Sequence, residues 1–233
     1  THKITPTYFL GFPFCGKRIG YALSFGCVSY PENALLEARN HIGYFDRISV
    51  RETSGIDIVK SMGRNDAIVV PDPTLLLDAK LYHNIADEFL CVRGTAYTYC
   101  FFIRHLKERK QALHPDLMDR TTLWNNDDGH YSLSAWLNKL KYADYVITDS
   151  FHCVVMCLKL HKPFSVITEQ EGNVGMNDRL YTLLSGINLE YRIIHKDDLG
   201  IVQLFPLRGI DWRYVDDYLN DCMQKGLDFF NQI

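Results

Sequence analysis

Short apolar runs that stop at a polar residue and pass straight into a segment of helical spacing recur along this chain. Few folds accept that pattern. The clearest case is Tyr145-Val146-Ile147-Thr148, followed at once by Asp149-Ser150 and then by a helical stretch ending at Leu160. A short run that is apolar on both faces reads as a strand covered on both sides, which belongs to a parallel sheet with crossover helices. The spacing predicts strands over 18–24, 47–51 and 67–70 in the first part, separated by helices over 31–45 and from Thr53-Ser54-Gly55 to Gly63. The first helix is expected to bury Leu35, Leu36, Ile42 and Phe45, the second Ile56, Val59 and Met62. The second part repeats the alternation, with strands over 97–103, 121–124, 145–148 and 163–167 and helices over 106–113, 134–142, 149–160 and 179–184. A last amphipathic helix covers 211–230, with Val215, Tyr218, Leu219, Cys222, Met223 and Leu227 on its apolar side. Regular β/α alternation implies an α/β protein. Turn and polar residues gather around 73–86, so the expected division is 1–80, 81–208 and a C-terminal helix over 209–233.

Composition narrows the function classes. The 233 residues carry 25 Lys and Arg against 28 Asp and Glu, a net charge of −3, so no global field draws in nucleic acid or an anionic membrane. No run of apolar residues is long enough to span a bilayer, and 1–6 lacks a secretory h-region. The seven cysteines form no C-x-x-C pair and sit in apolar stretches, which reads as reduced, buried thiols and a cytoplasmic location. Cys153 and Cys157 stand four apart on one helix face, but their apolar neighbours point to core packing. With no P-loop, no G-x-G-x-x-G and no metal-ligand spacing, neither a cofactor nor a metal is expected.

Three places can carry chemistry. At Thr148-Asp149-Ser150-Phe151-His152 a buried strand ends and a helix begins, so unpaired N–H groups and the positive dipole end favour an anion, and His152 can move a proton near neutral pH. The plainer reading has Asp149 or Ser150 as a cap and His152 at the surface or in the core. At Arg51-Glu52-Thr53-Ser54-Gly55 the guanidinium can clamp a carboxylate or phosphate, Thr53 or Ser54 can cap, and Gly55 lets a ligand approach the backbone. The plainer reading is a surface pair of Arg51 with Glu52 or Asp46, worth about 0.2–1 kcal/mol. At Asn177-Asp178-Arg179, a polar segment can read a sugar or an anion, or simply start a helix.

Taken together, RIGYALSFG (18–26), ISVRETSG (48–55), DPTLLL (72–77), YADYVITDSFH (142–152), KPF (162–164) and the N-D-R-x-x-x-L-L of 177–184 resemble the polysaccharide pyruvyl transferase family in order and spacing. The resemblance covers about Tyr8 to Arg192. It implies two Rossmann-like lobes in the arrangement of the GT-B glycosyltransferases. It also implies transfer of the enolpyruvyl part of phosphoenolpyruvate onto a sugar as a ketal, in cell-surface polysaccharide synthesis, with phosphate released. Phosphoenolpyruvate is then the donor substrate and a saccharide, lipid-linked or oligosaccharide, the acceptor. Arg51 and His152 are placed as the catalytic pair gripping the donor in the cleft, with Asp149, Ser150, Phe151, Asn177 and Arg179 around the substrates. Two departures stand out. Cys153 replaces the glycine that usually follows the histidine, and the family's upstream glycine- and asparagine-bearing loop and G-S-D-Q-x-W string would precede Thr1, so the first lobe is expected to be N-terminally incomplete. A nucleotide-sugar glycosyltransferase on the same fold, or a non-catalytic sugar- or anion-binding domain, are the alternatives.

Overall fold

The computed structural model describes residues 6–90, 95–125, 128–170, 177–199, 203–206 and 208–233. Two compact units emerge. The first holds the described residues of Thr1–Leu76, Gly172–Leu183 and Asn220–Ile233; the second holds those of Leu77–Glu171 and Leu184–Leu219. The division is therefore not a linear cut, because two later stretches return to the first unit.

The first unit is a three-stranded parallel sheet in the order β1 (Ile19–Leu23), β2 (Arg47–Val50), β3 (Ile68–Val69), with α1 (Glu32–Ile42) and α2 (Ser54–Ser61) as the connections. Its core joins Ala38, Ile42 and Phe45 to Ile48, Val50, Ile58, Val59 and Met62. β1 slips register between Gly20 and Leu23, where Ala22 has φ +50°. The buried Ser49 hydroxyl repairs the interrupted ladder, accepting from the Ala22 N–H at 3.0 Å and donating to the Gly20 carbonyl at 3.2 Å. The far end of α8 (Trp212–Asn231) closes this sheet: Phe229 is buried with Ala22 and Val70, and the Arg47 guanidinium lies 5.2 Å from the Phe229 ring centre and bonds to Gln232.

The second unit has a five-stranded, wholly parallel sheet. Its strands are β4 (Thr98–Phe101), β5 (Thr122–Trp124), β6 (Tyr145–Thr148), β7 (Phe164–Thr168) and β8 (Ile193–His195), in the order β5-β4-β6-β7-β8. The steps are made by α4 (Leu106–Leu117), α5 (Leu133–Tyr142) and α6 (Phe151–Lys159); α7 (Asp178–Ser185) follows β7 in the chain but has most of its length in the first unit. β6 and β7 are buried at every position, as their unbroken apolar runs require. The α/β expectation with helix-flanked parallel sheets holds, and the second sheet is compatible with a Rossmann-like winding.

Several local expectations are corrected. A helix missed in the sequence, α3 (Ala79–Asp87), is capped by the Asp78 carboxylate on the Lys80 N–H and packs on α5, whose Asn138 amide donates to the carbonyls of Ala86 and Phe89. β8 was missed as well. On α1 it is Ala34 and Ala38 that face inward with Ile42, while Leu36 is 71% exposed. On α8 Leu227 is exposed and Phe229 takes its place. Cys15 is exposed and Cys27 half-buried, so not every thiol is interior; Cys91 lies outside the described residues. Among the described residues, no helix is long and apolar enough to cross a membrane.

Candidate functional site

In the second unit the chain runs from β4 outward to β5 and then returns to the other side of β4 for β6, so the strand order reverses between β4 and β6. Beyond the carboxyl ends of two such strands the connections diverge and leave a crevice, the usual ligand position in an open α/β sheet. Asp149 sits there. Its two carboxylate oxygens accept from the N–H groups of Ile103 at 2.7 Å and Arg104 at 3.0 Å. The acid therefore ties the loop after β4 to the end of β6. Ser150 takes the capping role at α6, its hydroxyl accepting from the Cys153 N–H at 3.3 Å, while its own N–H donates to Thr148 Oγ1 at 3.0 Å.

These bonds fix the first turn of α6 and set its side chains. Phe151 is buried, and His152 is exposed with its ring edge-on to Phe151 at 5.5 Å. Cys153 is fully buried. The residue that replaces the expected glycine thus turns into the core and adds no side chain on the His152 side of the helix. Cys153 and Cys157 pack inside, and burial pushes the Cys157 thiol well up, as a structural thiol requires.

Cationic groups surround the same carboxyl edge. Arg104 and His105 follow β4 and are exposed, His105 with φ +53°. Glu169, directly after β7, is a hub absent from the sequence reading: it pairs with the Arg109 guanidinium from α4 and lies 3.5 Å from the Lys196 ammonium, and its carbonyl is 3.2 Å from the His195 ring. An acidic residue one step past a buried strand was the only available signal. Much of the loop that follows, 171–176, lies outside the described residues.

In the first unit a second polar cluster forms at the carboxyl edge of β1–β2–β3. The Arg51 N–H donates to the Leu23 carbonyl, which continues the β1–β2 ladder one residue past the strands. The Arg51 side chain keeps the expected pair with Glu52, 3.9 Å from Nε, and adds a remote partner: its Nη1 pairs with the buried Asp72. Asp46 instead accepts from the Arg18 N–H. Asp72 holds its pose with its other oxygen, which accepts from the Thr74 N–H at 3.0 Å and the Thr74 hydroxyl at 2.6 Å. Glu52, also buried, accepts from the Phe25 N–H at 2.8 Å and so secures the turn after β1.

The head of α2 is capped from a distance. Neither Thr53 nor Ser54 supplies the cap; the Asp178 carboxylate accepts from the Ser54 N–H at 3.1 Å, across 124 positions. A carboxylate there also suits the positive end of the helix dipole. Asp178 is therefore not merely an acid in the first turn of α7. Its neighbours come with it, Asn177 buried and Arg179 half-buried. The structure thus brings Asn177 and Arg179 into the unit that holds Arg51, whereas Asp149, Ser150, Phe151 and His152 are together in the other. Gly55 has a packing role: a Cβ there would stand 2.8 Å from the Cβ of Val50.

Among the described residues no group of three His, Cys, Asp or Glu side chains is arranged to hold a metal. The family model described as polysaccharide pyruvyl transferase matches residues 3–171. No curated protein matches the chain.

Proposed function

The chain belongs to the polysaccharide pyruvyl transferase family, and from that premise we propose that it transfers the enolpyruvyl part of phosphoenolpyruvate to a pair of sugar hydroxyls as a pyruvate ketal. The observation that carries the reading is the placement of His152: exposed, in the first turn of a capped helix, at the strand-order reversal of a parallel sheet. A proton-transferring group at that place suits the chemistry. The donor's methylene carbon must gain a proton to become a methyl, which leaves an oxocarbenium-like carbon open to a sugar hydroxyl. Phosphate leaves, a second hydroxyl closes the ketal, and of the two hydroxyl protons released one balances the methyl and the other the phosphate. His152 supplies or removes one of these protons.

Arg51 suits a ligand that bears a carboxylate and a phosphate, and Asp72 keeps the guanidinium from wandering, so little orientation is lost on binding. Asp149 and Ser150 act as positioning residues that hold the α6 turn, with Phe151 as its buried anchor. Asn177 and Arg179 are assigned to substrate recognition. The acceptor is a saccharide of a cell-surface polysaccharide, met on the cytoplasmic side.

Calorimetric titration with phosphoenolpyruvate, together with phosphate release in the presence of a panel of oligosaccharide acceptors, tests this assignment. His152→Ala is expected to abolish phosphate release and retain donor binding, whereas Arg51→Ala loses donor binding. Donor affinity and turnover equal to the unaltered protein in both variants would remove both residues from the site.

A further inference from the structure

At the amino-terminal edge of the second sheet, where β6 and β7 begin, lies a cavity of about 560 Å³ lined by Arg120, Arg192 and Arg208 with Tyr145, Phe205 and Trp212. Among the described residues no Asp or Glu lines it. Among the described residues no carboxylate pairs with any of the three arginines.

Arg192 is the anomaly. It is 2% exposed, yet its charge is met by dipoles and rings and by no carboxylate: Nη1 donates to the Phe164 carbonyl at 2.7 Å and to the Tyr145 hydroxyl at 3.3 Å, Nη2 donates to the Arg208 carbonyl at 2.9 Å, and the guanidinium lies 5.2 Å from the Tyr191 ring centre and 5.7 Å from that of Phe164. Its Nε is buried with no hydrogen-bond acceptor. Buried cations are ordinarily paired with an anion, because dipoles alone offset only part of the lost hydration. The other two guanidiniums are exposed and stacked, Arg120 at 3.9 Å over Phe205 and Arg208 at 5.0 Å over Tyr191. A stacked guanidinium spends its face on the ring and keeps its in-plane donors for a fork-like acceptor. The wall behind them is braced by the Tyr145 hydroxyl, 2.8 Å from Ser165 Oγ, which in turn donates to the Leu204 carbonyl at 2.6 Å.

We propose that this cavity is a binding site for a phosphate group, separate from the carboxyl-edge cluster around His152. Two exposed guanidinium forks, Arg120 and Arg208, backed by the buried charge of Arg192 and with no carboxylate among the described lining residues, match a dianion with several acceptor oxygens better than a single carboxylate with two. The site takes either inorganic phosphate or the phosphate of a sugar ester, and it does not depend on the transferase reading.

Calorimetric titration of the full chain with inorganic phosphate, and separately with glucose 1-phosphate, tests it. Arg120→Gln and Arg208→Gln, both at exposed side chains, should each weaken binding about tenfold, the factor that 1.4 kcal/mol represents. Arg51→Ala, which removes the donor grip of the other site, should leave binding at this cavity unchanged. Tighter binding of the ester assigns the site to phosphorylated sugars, and equal binding to inorganic phosphate. Should an arginine variant fail to fold, the emission of Trp212 in the unaltered chain reports the same event, and Trp212→Phe removes the phosphate-induced change. The proposal is overturned by no saturable binding of either probe. It is equally overturned by binding that Arg51→Ala weakens and that Arg120→Gln and Arg208→Gln do not.

Discussion

Replacing Gly55 by alanine should destabilise the protein, although alanine is the better helix former. Gly55 is the second residue of α2 and is buried against β2. An ideal Cβ at this position would lie 2.8 Å from the Cβ of Val50 and 3.0 and 3.1 Å from its two methyl carbons. Val50 is 0% exposed, and a β-branched side chain has little freedom at χ1, so it cannot swing away. The helix or the strand must move instead. Overpacking of this kind costs about 1–3 kcal/mol. The gain in helix propensity returns about 1 kcal/mol at most. The net expectation is a loss of about 1 kcal/mol or somewhat more, read as a lowered urea midpoint at unchanged slope. Gly43 supplies the internal control. It has φ −66° and open space around its Cβ position, so Gly43→Ala should raise stability by about 0.4–1 kcal/mol. A Gly55→Ala protein as stable as Gly43→Ala would refute the close approach of α2 to β2.

Two further outcomes follow from burial. In a Cys91→Ser background, a thiol reagent at neutral pH should modify exposed Cys15 quickly and Cys27 slowly, because burial and the nearby Glu52 carboxylate push the Cys27 thiol up; Cys100, Cys153 and Cys157 should react only in denaturant, and modification of Cys153 at the rate of Cys15 would contradict its packing. Burial, and then the Lys141 ammonium, lower the His83 pKa below its ordinary value of 6.5. Its stabilising contribution is therefore complete above about pH 6.5 and is lost as the pH falls through the folded value. The loss of melting temperature between about pH 8 and pH 5 should shrink in His83→Gln, and an unchanged pH slope in that variant would dismiss the histidine as a contributor.

What could be read from residues alone was whatever depends on neighbours in the chain. Tyr145 to Ser150 specified strand, stop and cap within six consecutive positions, and the structure has all three. The same local reading located the turn that carries His152. It failed where the partner is remote. Arg51 keeps its neighbour Glu52 at 3.9 Å, but the acid that hydrogen-bonds its Nη1 is Asp72, 21 positions on, and the cap of α2 comes from Asp178. Nothing in ISVRETSG encodes either, since a carboxylate is equally plausible on any nearby loop. The α1 face was misjudged because a helix that approaches its sheet closely buries alanines, leaving Leu36 outside. α3 was overlooked because turn-forming Asp72-Pro73 and Asp78 precede it and dominate the local signal; Asp78 is in fact its cap.

The seam formed by Phe229 and Gln232 on the first sheet carries a consequence for biosynthesis. Ala22 and Val70 obtain their apolar cover from a residue made roughly 160 positions later than Val70, whereas every contributor to the five-stranded sheet's unit has been made by Leu219. The portion translated first is therefore the portion completed last. While the ribosome works through the intervening stretch, that early sheet waits half-clad, and the nascent chain is most exposed to chaperones, or to clumping with its neighbours, during that interval.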